Sequence, residues 1–208
     1  MKFLLVALLA ATALSGGALS GASADTRPLQ GFTGVGADGH FSVQITLGDH
    51  YAVEVTGPDA ARISTNIEGS NLRIRAREFH MFGDPAYDAT VHITTPRLEA
   101  LSGARGVSLT ATGVRADHFS VAASMGAQLR VAGACQALRA AASMGGEVHA
   151  DNLDCAAGEV SASMGGVAHV HLRESVNAAA SMGGEVSVAG HPTRRDVRST
   201  MGGGINYE

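Results

Sequence analysis

The chain has 208 residues, of which 45% are hydrophobic, 16% are charged and 4% are aromatic, and it contains 27 glycines. This length fits one ordinary domain or two small ones and excludes a large multidomain assembly. The charged fraction lies well below the usual value of about 25%, and Gly and Ala make up the difference. Such a composition argues against intrinsic disorder, a coiled coil and nucleic-acid binding.

The first 24 residues are typical of a secretory signal peptide. Lys2 supplies a basic start, residues 3–14 form an apolar run too short for a mature membrane helix, and Ala22-Ser23-Ala24 matches a cleavage site before Asp25. An N-terminal anchor helix is the alternative interpretation. No Cys follows the apolar run, so there is no lipobox. The sequence therefore predicts a periplasmic or extracellular protein without an integral membrane segment after cleavage.

The predicted mature chain is mildly acidic. Lys2 is the only lysine, so residues 25–208 carry 14 Arg against 19 Asp and Glu, a net charge of −5. This balance does not favour binding to polyanions such as nucleic acids or anionic lipid headgroups.

Internal repetition is the strongest signal in the chain. A Ser/Thr-Met-Gly motif recurs at intervals of 19, 20, 18 and 19 residues, with its methionines at Met125, Met144, Met164, Met182 and Met201. A period of about 20 residues marks a solenoid built of stacked units. We expect residues 101–208 to form such a solenoid, with about 19 residues per coil.

The residues between the motifs predict β-strands. Four residues after each Met the chain has an apolar residue, and apolar or small residues also recur six after, four before and two before. Alternation with period 2 is the pattern of a strand. A leucine-rich repeat would need more Leu and a helical segment in each unit. The expected fold class is therefore all-β, a parallel β-solenoid.

The same alternation predicts an inner and an outer face. The methionines share the phase of the apolar columns, so we expect their side chains inside the coil as a stacked column of core fillers. The opposite phase predicts a flat, mostly polar outer face, although a bulge at the Gly pairs after Met could exchange the two faces. This predicted binding face comprises Ser124, Ser143, Ser163, Ser181, Thr200, Glu147 and Glu185.

Two cysteines support this registration. Cys135 lies 10 residues after Met125 and Cys155 lies 11 after Met144, so the two occupy nearly equivalent places on successive coils. Stacked coils bring such positions within disulfide range, and an exported protein favours oxidation. We predict a Cys135–Cys155 disulfide. A redox or metal-binding pair is the alternative, but the spacing is neither CxxC nor a zinc pattern.

The region 25–100 has a different pattern. Residues 41–47 and 51–55 alternate, residues 63–68 and 72–76 flank a Gly-Ser-Asn turn as in a hairpin, and residues 89–95 form a further strand. We predict an antiparallel β region that caps the open end of the solenoid. An uncovered end would present unpaired backbone groups and recruit another chain, so a homo-oligomer through a solenoid end is also an expectation.

An ordered series of motifs resembles a known family. "FSVQITLG" (41–48), "GSNLRIR" (69–75), "VHITTPRLEALSGA" (91–104) and Ser-Met-Gly-Gly coils ending in "GGGIN" (202–206) are similar to the auto-transporter adhesin head GIN domain family. The resemblance implies an exported bacterial β-solenoid whose function is not established, and it supplies no catalytic residue. Where the family often repeats Ser-Gly-Ala-Ser steps, this chain keeps Ser102-Gly103-Ala104 and then changes to Ser-Met-Gly-Gly.

Catalysis is not expected. Glu147 and Glu185 share an outward column, but Val167 lies between them and Tyr207 is the only aromatic residue after Phe119, so the coils offer no stacking surface for sugar rings. No nucleophile elbow, HExxH zinc motif or phosphate loop is present. A polysaccharide-active solenoid enzyme is the less favoured alternative.

Metal binding is a sharper alternative. His149 and His169 each follow their Met by five residues and should stack on adjacent coils, with Glu147 and His171 nearby, so they could hold a divalent ion. The methionine column could instead take a soft ion such as Cu(I). A single-file Ser/Thr column is a remote indication of ice binding.

We therefore interpret the sequence as an exported, non-enzymatic β-solenoid, adhesin-like or otherwise a binding module of the cell envelope. It has no predicted catalytic residue and no cofactor. The expected partner is an envelope protein or a polysaccharide, bound on the Ser/Thr face with Glu147 and Glu185.

Overall fold

The computed structural model describes residues 24–77 and 85–208. The predicted signal peptide lies outside these residues, apart from Ala24. Across the two described ranges, no helix is long and apolar enough to cross a membrane. The strands are β1 (Asp25–Thr26), β2 (Gly34–Asp38), β3 (Ser42–Leu47), β4 (Ala52–Thr56), β5 (Ile63–Glu68), β6 (Asn71–Ala76), β7 (Thr90–Thr95), β8 (Ala100–Ala104), β9 (Ser108–Ser124), β10 (Gln128–Ser143), β11 (Glu147–Ser163), β12 (Val167–Ser181), β13 (Glu185–Ala189), β14 (Arg194–Thr200) and β15 (Gly204–Tyr207).

Four long strands form the body of a parallel β-solenoid, which confirms the predicted fold class. β9, β10, β11 and β12 stack in parallel, and Ser143 pairs with Ser124 on one side and with Ser163 on the other. The predicted inner columns are buried along these coils; Val121 and Val160, four residues before their Met, are each only 1% exposed. The hydrophobic effect acting on these columns holds the coils around one continuous core.

The methionines are the exception, and the prediction that they lie inside is wrong. Met125, Met144, Met164 and Met182 are 46–49% exposed and Met201 is 80% exposed. Each occupies a tight turn with φ near +48° and is followed by a Gly with φ between +71° and +75°. Two successive residues of positive φ are the mark of a type I′ turn. Alternation with period 2 does not continue through such a turn, so the parity argument fails there.

The second Gly of each Met-Gly-Gly step takes the inward position after the turn. A Cβ at Gly146, Gly166, Gly184 or Gly203 would lie 2.4–2.5 Å from a backbone carbon of the preceding coil. A side chain at these four positions would force the neighbouring backbone to move. The repeated Gly pair therefore reflects a turn followed by a close approach of two backbones.

The N-terminal region combines antiparallel strands with further parallel coils. β5 pairs antiparallel with β6, as the predicted hairpin requires, and β4 pairs antiparallel with β1 and β7. In contrast, β2 pairs in parallel with β6 and β8, and β3 pairs in parallel with β7 and β9. The antiparallel part is thus narrower than the predicted 25–100 region. The β2–β3 coil is inserted between the β6–β7 coil and the β8–β9 coil.

Each coil contributes to two outer surfaces that meet at the Met-Gly turns. The surface that we call the Ser surface runs from β5 through β6, β2 and β8 across the C-terminal halves of β9 to β12 and ends at β14. The Glu surface runs from β1 through β4, β7 and β3 across the N-terminal halves of the same strands and ends at β13 and β15. A residue's position in the repeat therefore decides the surface to which it belongs.

Candidate functional site

The residues of the predicted binding face lie on both sides of the Met-Gly turns. The column from Ser124 to Thr200 ends the strands of the Ser surface, whereas Glu147 and Glu185 begin strands of the Glu surface. Within the column, the four serines are half-buried and Thr200 is exposed. The structure thus brings these residues to one edge of the solenoid, where a turn separates the hydroxyls from the carboxylates.

Glu147 and Glu185 do not form a carboxylate pair. Val167 pairs with Glu147 on one side and with Glu185 on the other, which places the two glutamates two coils apart, about 10 Å. Glu185 accepts a hydrogen bond from Asn206 Nδ2 at 2.9 Å. The Glu147 carboxylate lies 3.4 Å from His149 Nε2. Each glutamate has its own partner.

The two histidines stack as their sequence positions predict. His149 pairs with His169, and their rings lie 5.3 Å apart at an interplanar angle of 4°. His171 pairs with Asp154 on the next part of the coil. Within the described parts of the chain, no group of three or more His, Cys, Asp or Glu side chains has the arrangement of a metal site. The potential metal ligands here are thus one nitrogen from each of the two stacked imidazoles and the Glu147 carboxylate, which lies 3.4 Å from His149 Nε2.

Cys135 and Cys155 form a disulfide, as the repeat predicts. Their Cα atoms are 4.5 Å apart in paired positions of β10 and β11. Both side chains are buried. The bond joins two successive coils from inside the solenoid.

A long groove indents the start of the Ser surface, three residues beyond the disulfide. At this point the alternation of β10 breaks, because Gln136 and Ala137 both face outward before Leu138 turns inward. The equivalent bends of neighbouring coils line up and enclose a groove of about 980 Å³. The groove crosses six stacked levels of the solenoid, namely the segment before β8 and then β9, β10, β11, β12 and β14. Five spacings between these levels correspond to roughly 24 Å.

The floor of this groove is apolar and its walls are charged. Phe119, Leu138 and Val176 form the floor and are 2–3% exposed. Arg139 donates to Glu159 Oε2 from Nε at 3.1 Å and from Nη2 at 2.8 Å, bridging two coils. Both side chains of this pair are more than half exposed, so water screens them and they add little to stability. Their hydrogen-bonding groups face the groove and are accessible to a ligand.

Alternating charge is a property of the whole groove. Four arginines and four acidic residues line it: Arg97, Glu99, Asp117, Arg139, Glu159, Arg194, Arg195 and Asp196. These formal charges cancel, so the groove does not act as a simple anion or cation trap. Sequence reasoning missed it, because the floor column changes from Phe to Leu to Gly to Val and carries no repeated residue.

The comparisons with known proteins agree with this architecture. The sequence model of the family described as "Putative auto-transporter adhesin, head GIN domain" matches residues 31–192. The chain belongs to this family. The match ends before β14, so the last coil and the "GGGIN" motif lie beyond it. No curated protein sequence matches the chain.

Solved structures share the fold at low sequence identity. A putative adhesin from Bacteroides fragilis NCTC 9343 has a TM-score of 0.71 and 16% identity, covering 91% of this chain and 98% of its own. A putative adhesin from Parabacteroides merdae ATCC 43184 has a TM-score of 0.52 and 12% identity, covering 91% and 97%. A protein of Parabacteroides distasonis ATCC 8503, described as a putative lipid binding protein, has a TM-score of 0.50 and 15% identity, covering 91% and 98%. At these identities the likeness is one of fold.

Proposed function

We propose that this protein is an exported, non-enzymatic, adhesin-like binding module of the cell envelope, and that the groove receives an extended segment of another envelope protein. The observation that carries the proposal is the length of the groove across six strand levels. A rigid solenoid that offers one long concave surface is suited to binding an extended chain. Membership of a family described by its adhesin role supports the same function.

The lining favours polypeptide over polysaccharide. The apolar floor and the alternating Arg and acidic groups can pair with the amides and side chains of an extended peptide. Sugar rings usually stack on exposed aromatic side chains, and Phe119, the aromatic residue of this lining, is only 2% exposed. A polysaccharide is therefore the second candidate partner.

Position-specific crosslinking tests this function. A photoreactive benzophenone residue replaces Ala137, which lines the groove, in cells that make the protein. Ala179, exposed on the Ser surface but not part of the groove lining, is the matched control position. We expect a protein adduct at position 137 alone, reduced at least about tenfold when Arg139→Ala and Glu159→Ala are combined, because these groups line the same groove. Equal adducts at both positions, or none at 137, would contradict the proposal.

The non-enzymatic part is tested separately. Purified residues 25–208 are incubated with envelope and plant polysaccharides, and released oligosaccharides are measured. We expect no release. Release that disappears in Glu147→Gln or Glu185→Gln would overturn the proposal and favour a solenoid enzyme.

A further inference from the structure

The exposed methionines are the part of the repeat that neither the fold nor the groove explains. Their positive φ is unfavourable by about 1–2 kcal/mol for a residue with a Cβ, and Asn, Asp or Gly usually occupy such turn positions. The equivalent turn before β9 has Arg105 with φ +56°, followed by Gly106, so this backbone does not require Met. The choice of Met in five successive turns therefore points to a use of the side chain.

The five side chains form a ladder along the edge between the Ser and Glu surfaces. Successive turns are joined directly, since Gly126 N donates to Met144 O at 3.3 Å and Gly145 N donates to Met164 O at 3.2 Å. The first four methionines have nearly the same exposure, 46–49%, whereas Met201 on the last turn is 80% exposed. Each of the first four methionines is thus partly covered by the turn of the next coil. We call the row of five side chains the methionine ladder.

Thioether sulfur is a soft ligand that selects soft cations such as Cu(I). Successive coils lie about 4.8 Å apart, so a cation midway between two stacked sulfurs would be about 2.4 Å from each, close to the metal–sulfur distance of about 2.3 Å. The flexible Met side chain lets both sulfurs turn toward the same point. The solvent side is open, because nothing lies within 4 Å of a Cβ position at Gly126, Gly145, Gly165, Gly183 or Gly202.

We propose that the methionine ladder binds a soft monovalent cation, Cu(I) or Ag(I), each ion held between the thioethers of two successive coils. Five thioethers make two complete pairs and leave one over. If each cation uses one pair, the ladder binds about two cations. The site is distinct from the stacked His149 and His169, which lie on the Glu surface five residues after their own Met. It is also distinct from the groove, so its test does not depend on the proposed function.

Ag(I) is the probe, because it is redox-inert and reports the same ligand preference. Residues 25–208 are labelled with ¹³C at the Met ε-methyl groups and titrated with silver nitrate in chloride-free buffer. We expect the methyl resonances of the ladder to shift and to saturate at about two equivalents, since each cation uses two sulfurs.

Two double variants locate the site. Met144→Leu with Met164→Leu keeps an apolar side chain of similar size and leaves Met182 and Met201 as the only neighbouring pair, so saturation should fall to about one equivalent. Met182→Leu with Met201→Leu, at the end of the solenoid, should give the same value if the central variant does not fold. The control, His149→Ala with His169→Ala, should retain about two equivalents.

Three results would overturn the proposal. The first is the absence of methyl shifts at millimolar Ag(I). The second is unchanged saturation in both folded Leu variants. The third is loss of binding in the histidine variant, which would assign the cation to the imidazole stack.

Discussion

The two ends of the solenoid are built differently, although the same stacking rule forms both. At the N-terminal end, β5 and β4 lie antiparallel on the outermost coil, and Ile63 and Val53 are fully buried. At the C-terminal end, β14 pairs only with β12 and β15 only with β13, and no further strand covers either within the described ranges. Val197 there is 47% exposed.

Side-chain size follows the same division. Large rings fill the N-terminal end: Phe32 packs edge-on against Tyr51 with centroids 5.1 Å apart, and the Arg62 guanidinium lies 4.8 Å from the centre of the Tyr87 ring. Apart from the disulfide, the core of β10 to β12 needs only Ala, Val and Leu, because a neighbouring coil about 4.8 Å away covers each one. Burial in this fold is thus set by the neighbouring coils, so equivalent residues on different coils contribute unequally to stability.

The largest expected effect is at the close-approach glycines. A Cβ at Gly166 would lie 2.5 Å from the Ala142 carbonyl carbon, between coils that are held on both sides. We expect Gly166→Ala to lower the free energy of unfolding by about 3 kcal/mol or more, because the neighbouring backbone must move. Urea denaturation followed by circular dichroism measures the change.

Gly203→Ala is the matched control, since its Cβ would lie 2.4 Å from the carbonyl carbon of Ala180. Its coil has a neighbour on one side only and can move away, so a loss below about 1 kcal/mol is expected. Equal losses at Gly166 and Gly203 would show that the last coil is as constrained as the middle.

The disulfide should give the next largest effect. Cys135 and Cys155 enclose a separation of 20 residues, for which the chain-entropy model gives about 3 kcal/mol. Reduced protein and the double variant Cys135→Ala with Cys155→Ala should both lose about this amount. Hydrogen exchange should show protection falling first in β12 to β15, because the N-terminal end keeps its antiparallel cover. A loss of protection that starts in β4 or β5 would show that the N-terminal end is the less stable of the two.

Two valines of one inward column test the same difference between the middle coils and the C-terminal end. Val160 is 1% exposed and Val197, equivalent to it two coils later, is 47% exposed. We expect Val160→Ala to cost about 2 kcal/mol, from lost burial and a residual cavity, and Val197→Ala less than about 0.5 kcal/mol. Denaturation midpoints of the two variants provide the measurement. Similar midpoints would mean that Val197 is covered in solution, for instance by a second copy at the open end.

These valines also show how far the sequence could predict the fold. Alternation aligned on the repeat was enough to predict the coils, the inward columns, the 63–76 hairpin and the Cys135–Cys155 bond, because each depends on local periodicity or on equivalent positions in the repeat. It failed at the methionines, where two residues of positive φ end the alternation. A Gly pair after four of the five methionines was the available signal for such a turn.

Other features depend on contacts that no periodicity encodes. β2 and β3 lie between strands that come later in the chain, and nothing in their own residues indicates this insertion. The groove arises where the alternation changes phase between Cys135 and Leu138, at a column whose residues differ from coil to coil. A phase change within a strand leaves only two successive outward residues as its mark, and this signal is too short to separate from a loop.

The smallest expected effect is at the last coil itself. The Arg195 guanidinium lies 4.2 Å from the centre of the Tyr207 ring and joins β14 to β15 across the open end. Arg195→Ala should cost about 0.5–1 kcal/mol locally, the usual range for an exposed cation–π contact. The global unfolding midpoint should hardly change, because we expect β14 and β15 to open before the rest of the solenoid. Hydrogen exchange at the amides of 195–207 should therefore become several-fold faster while exchange in β10 and β11 stays constant. Faster exchange in β10 and β11 would instead mean that losing this contact destabilises the middle coils as well. The two ends would then differ in how their side chains pack, but not in how independently they open.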